Sequence, residues 1–108
     1  MPLICHLNSF GSNDTMFTIQ VVNMANVINQ KYDVGRIMPE PSGGLNLYWF
    51  SDSKITGWAS RRFVWVVIHN DMEMTVSFSD RSTDESTTES FTENQIDEVI
   101  DRVRKWVA

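Results

Sequence analysis

Cys5, His6 and His69 are the residues whose side chains are best suited to nucleophilic, acid–base or metal chemistry. A thiol beside an imidazole can become an activated thiolate, and a histidine oriented by a carboxylate can activate a serine. No G-x-S-x-G elbow supports the second arrangement. Adjacent Cys5 and His6 with one remote histidine do not reproduce the repeated ligand spacing of a structural zinc site. The turn-rich "PSGG" is no phosphate cradle either, because it lacks G-x-x-x-x-G-K-[ST] and a strand pattern follows it where a helix is required. The sequence therefore predicts no catalytic site, no cofactor and no metal. A small enzyme using His6 or His69 with Cys5 stands as an alternative.

A second chemical feature is acidity. From Asp80 to Asp101 there are eight carboxylates against one basic residue, Arg81, so the negative charge of the chain, net −5, is concentrated in this region. Its core, "DRSTDESTTESF", reads as a turn followed by a short polar edge strand, in which Glu85 and Glu89 discourage edge-to-edge pairing. The competing reading is an acidic docking surface that includes Asp84, Glu85 and Glu89 and steers a basic partner, up to imitation of nucleic-acid phosphates. Serines and threonines beside acids also suit an acid-directed kinase.

Composition narrows the classes. At 108 residues with 42% hydrophobic and 21% charged residues, the chain is expected to form one domain, residues 1–108, around one core. Its negative charge opposes direct binding to nucleic-acid phosphate or anionic lipid. Tyr48 and Phe50 near Arg61 and Arg62 have a slight likeness to base-stacking sheet surfaces, but no RNP-type motif accompanies them. A single cysteine rules out an internal disulfide, no apolar run approaches the roughly 18 residues of a membrane span, and "MPLICHLNSF" lacks the features of a secretory signal. These features fit a cytoplasmic protein.

The elements that must position any site follow from hydrophobic spacing. Ile96, Val99, Ile100, Val103, Trp106 and Val107 form one arc of a C-terminal helix that a T-x-x-Q box at Thr92 and Gln95 would cap. Asp97 and Glu98 lie near its start, and Arg102, Arg104 and Lys105 near its end, as the helix dipole favours. A first helix is expected from about Ser12–Asp14 to Gln30, with Phe17, Val21, Met24, Ala25 and Ile28 inward. Its other side has no charge, and Ile19 and Val22 stand there among amides and a threonine, as a contact for a partner would. Between the helices, "VGRIM", "GGLNLYWF", "RFVWVVI", "MEMTVSFS" and "ESTTESF" read as strands of an antiparallel meander, with Asn70-Asp71 as a tight turn.

The expected architecture is α+β: an antiparallel sheet of four to five strands with an N-terminal and a C-terminal helix packed on one face. In this reading Leu45, Leu47, Trp49, Phe63, Trp65 and Val67 face the helices. Tyr48, Phe50, Val64, Val66 and Ile68 then emerge on the second face, to be covered by "PLICHL", by residues 55–58, or by a second copy of the chain. The function expected is that of a small acidic, non-catalytic protein that binds another protein, as an inhibitor, immunity or adaptor factor of phage or mobile-element type. A homodimer is the expected assembly, with Ile19, Val22, Tyr48, Phe50, Val64 and Val66 as its contact residues.

Overall fold

Alternating apolar residues and short polar turns produce a five-stranded antiparallel sheet in which spatial order follows chain order. The computed structural model describes residues 19–40, 43–51 and 60–108. Helix α1 (Ile19–Lys31) is followed by β1 (Arg36–Pro39), β2 (Leu45–Phe50), β3 (Arg62–Ile68), β4 (Met74–Asp80) and β5 (Glu85–Phe91). A single 3-10 turn (Glu93–Gln95) then leads into helix α2 (Ile96–Val107). This is the α+β arrangement that the spacing implied, with every neighbouring strand pair antiparallel.

Both helices contribute to one core with the same face of the sheet. Val21, Met24, Ala25 and Ile28 of α1 and Val99, Ile100, Val103 and Val107 of α2 are buried with Leu45, Leu47 and Trp49 of β2 and Met74, Val76 and Phe78 of β4. Burying each of the valine, leucine, isoleucine, methionine and phenylalanine side chains among them stabilises the fold by about 1.5–3 kcal/mol relative to leaving it exposed. The start expected for α1 near residues 12–14, together with Phe17, lies outside the described residues.

Strand β3 is set one residue out of the expected phase. Leu47 pairs with Val66 and Trp49 with Val64, while Val66 pairs with Val76 and Val64 with Phe78. Directly paired residues share a face, so Val64, Val66 and Ile68 point to the helices and are fully buried. Phe63, Trp65 and Val67 take the opposite face. Val22, expected on the outer side of α1, is also buried in the core, whereas Ile19 is 62% exposed. Val22, Val64 and Val66 are therefore packing residues and present no surface to a partner.

The β3–β4 connection explains the phase. His69 and Glu73 close a three-residue loop: His69 N–H donates to Glu73 O at 2.9 Å, and Met72 N–H donates to His69 O at 2.9 Å. Met72 takes φ +73° at the left-handed position that ends this kind of loop. The β1–β2 turn meets a harder constraint. Gly44 has φ +98°, and a Cβ there would lie 2.1 Å from Ile68 O, so only glycine fits between β2 and the end of β3.

Candidate functional site

Three regions could meet a ligand or partner: the sheet face away from the helices, a groove beside α1, and a pocket under α2. The outer sheet face receives three residues from each of β2, β3, β4 and β5, twelve in all by the strand register. One transverse row runs Tyr48, Trp65, Ser77, Thr88, and the rows beside it run Asn46, Val67, Thr75, Ser90 and Phe50, Phe63, Ser79, Ser86. None is charged. The half formed by β2 and β3 is mainly aromatic, and the half formed by β4 and β5 carries only hydroxyls.

The aromatic half is fixed by contacts of its own. Tyr48 stacks between Phe50, at 6.4 Å, and Trp65, at 6.1 Å. Trp65 Nε1–H donates to Asn46 Oδ1 at 2.8 Å, and Asn46 Nδ2–H donates to Glu40 Oε2 at 3.0 Å. With its polar atom engaged, Trp65 offers an oriented ring that is 36% exposed, with exposed Met38 on the adjoining edge strand β1. Tyr48 lies buried beneath, and burial above all, with Glu40 next, holds its phenol above the usual pKa while Arg36 opposes the shift. The hydroxyls on the other half form cross-strand pairs. Ser77 and Thr88 lie 3.1 Å apart, and Thr75 is bonded to His69 Nε2 at 2.8 Å.

Four of the eight carboxylates from Asp80 to Asp101 meet a cation among the described residues once the chain folds. Asp80 is buried and accepts Arg62 Nε–H at 2.9 Å, Ser82 O–H at 2.7 Å and Ser82 N–H at 2.9 Å, with Arg61 Nε 3.7 Å away. The Ser82 hydroxyl, then Arg62, holds its pKa far below the ordinary carboxylate range despite the opposing effect of burial. Glu89 binds the Arg102 guanidinium through both oxygens, which lowers its pKa. Asp97 meets Lys31 at 2.7 Å and Asp101 meets Lys105 at 3.0 Å. Of the three acids expected to dock a partner, Asp84 and Glu85 stay exposed in and beside the β4–β5 turn, while Glu89 joins β5 to α2.

The pocket under α2 has a volume of about 250 Å³ and is lined by Phe78, Thr87, Arg102, Lys105 and Trp106. Both of its cations already have carboxylate partners, so its lining has no surplus charge to hold an anion. Cys5 and His6 lie outside the described residues, as do "PLICHL" and residues 55–58. His69 lies in the β3–β4 loop with Thr75 as its hydrogen-bond partner, and no group of three or more His, Cys, Asp or Glu side chains gathers for a metal among the described residues.

Trp65 and Phe63 were missed as outer-face residues because aromatic bulk in "RFVWVVI" suggested the core, and reading "VGRIM" as a strand assigned Met38 to neither face. The hydroxyl rows were legible in the alternation of "TVSFS". Among the described residues, no helix is long and apolar enough to cross a membrane. No family model, curated protein or solved structure matches this chain.

Proposed function

We propose that this protein acts by binding another protein, as an inhibitor, immunity or adaptor factor, and that the outer sheet face is its recognition surface. The observation that carries this reading is the aromatic half of that face, with Trp65 held by Asn46 and stacked on Tyr48. Aromatic rings with few rotatable bonds give contact area at low entropic cost, and serine, threonine and asparagine supply adaptable hydrogen bonds. A tryptophan near the centre of such a patch is the residue type that most often dominates binding energy. The twelve outward residues of β2 to β5 are uncharged, so a partner seated on them desolvates no unpaired ion there, while Arg36 of β1 and Arg81, 5.8 Å from the centre of the Phe63 ring, border them.

The test is a comparison of wild type with Trp65→Ser in affinity capture from the native host, together with light scattering on the purified chain. The substitution should leave the fold intact and abolish capture of the specific partner. If that partner is a second copy of the chain, the light-scattering mass should fall from dimer to monomer. Equal capture and equal mass for the two proteins would end this reading.

A further inference from the structure

We infer a second binding site, separate from the sheet face, in the groove between α1 and the start of α2, and its occupant is a peptide segment of another protein with apolar side chains and a lysine or arginine. The groove has a volume of about 340 Å³. Gln20, Asn23, Met24 and Val27 fall at helical spacing and form one wall. Met72 and Ile96 stand across from them, with Glu93 and Asn94 at the rim. Met24 and Met72 make the floor soft and adaptable, because unbranched thioether chains fill irregular shapes.

Three observations point to a peptide of this chemistry. The apolar floor is bordered by the amides of Gln20, Asn23 and Asn94, which can donate to and accept from an extended backbone. Val27 in that wall is 41% exposed, and the same side of α1 continues to Ile19, which is 62% exposed. Among the described residues Glu93 is the one charge in the lining, and exposed Asp71 and Glu73 flank Met72. None of these three acids forms an ion pair with a described residue. A cationic side chain following an apolar anchor answers that arrangement.

Met72 adds a separate argument. Its left-handed backbone is unfavourable for a bulky side chain, at a cost of about 1–3 kcal/mol. Glycine would satisfy the loop without that cost. The methionine that stands there has its side chain at the core edge and in the groove lining.

Selection of random displayed peptides on the full-length chain, followed by affinity measurement of the enriched sequences, tests the inference. Enriched peptides should combine large apolar residues with lysine or arginine. Val27→Glu should weaken them by about tenfold or more, because a charge must then be buried against the floor. Glu93→Gln should slow association and flatten its dependence on salt. Met72→Gly should keep the loop and the fold while weakening binding, and Trp65→Ser should change nothing at this site. Failure to enrich any peptide, enrichment of acidic or purely polar peptides, or equal affinity for wild type and Val27→Glu would each overturn it. Peptides lost on Trp65→Ser but retained on Val27→Glu would belong to the sheet face and overturn it as well.

Discussion

Arg62 and Asp80 face each other directly across β3 and β4, and their side chains meet at 2.9 Å on the helix side of the sheet. The guanidinium also lies 5.2 Å from the centre of the Trp106 ring and donates to the Trp106 carbonyl, while the Trp106 indole donates to Ser79 O at 2.9 Å. One buried carboxylate thus connects two strands, the turn at Ser82 and the last turn of α2.

Asp80 should therefore govern acid stability. Its pKa in the folded state is depressed, so its contribution is complete above the unfolded carboxylate pKa of about 3.9 and disappears as pH falls through the folded value. Asp80→Asn should lower Tm clearly at pH 7. The gap between variant and wild type should narrow steadily below about pH 4. Thermal unfolding of both proteins across that range is the measurement, and a constant gap would show that the charge itself is not responsible.

The carboxylates of the turn and β5 should separate when tested one at a time. Glu89→Gln removes the forked pair to Arg102, whose guanidinium also lies 4.8 Å from the centre of the Phe78 ring, and should lower Tm. Glu85→Gln should leave Tm unchanged, since exposed charges contribute little. Asp84 has φ +56°, so Asp84→Gly or Asp84→Asn should maintain or raise Tm. A double-mutant cycle on Glu89 and Arg102 should show coupling that the same cycle on Glu85 and Arg102 lacks.

Trp65 and Val66 are chain neighbours with opposite fates. Val66→Glu buries an unpaired charge among Leu47 and Val76 and should prevent folding, at a cost of several kcal/mol. Trp65→Glu, one residue earlier, should give soluble, folded protein with native circular dichroism. Ile68→Ala, beside Leu45 and Met74, should cost about 2–5 kcal/mol in denaturant unfolding.

Gly44→Ala tests the close approach of the β1–β2 turn to the end of β3. The positive φ alone costs about 1–3 kcal/mol, and the methyl would collide with the Ile68 carbonyl. The expected outcome is loss of the cooperative unfolding transition. Gly43→Ala, in the same turn at φ +112°, should also lower Tm through its positive φ.

Much of this architecture was legible because its signals are local. Met74, Val76 and Phe78 alternate with hydroxyl residues, "ESTTESF" coincides with β5, and the α2 arc has Val99, Ile100, Val103 and Val107 buried. The expected capping box at Thr92 and Gln95 is present, with Gln95 Oε1 accepting Thr92 N–H at 2.9 Å and the Thr92 side chain meeting the Gln95 backbone N–H, ahead of a 3-10 turn. The face of β3 was not legible. Both sets of its alternating residues are apolar, so the decision passes to the neighbouring turn. A two-residue turn at Asn70-Asp71 pairs His69 with Met72 and sets Val67 opposite Met74. The observed loop takes in Met72 and sets Ile68 opposite Met74, which exchanges the faces of the whole strand. The pairing of the acidic run was hidden for a related reason. Its cations come from Lys31, Arg61, Arg62 and the far end of α2, and only folding brings them near.

The placement of charge also has a colloidal consequence. The net charge of −5 keeps copies apart near neutral pH, yet none of it resides on the twelve outward residues of β2 to β5. Acidification toward the isoelectric point near 4.8 removes the repulsion while leaving Trp65 and Met38 as exposed as before. Turbidity should therefore rise as pH approaches 5 while circular dichroism remains native, with molecules adhering through this surface, whose twelve residues carry no titrating carboxylate.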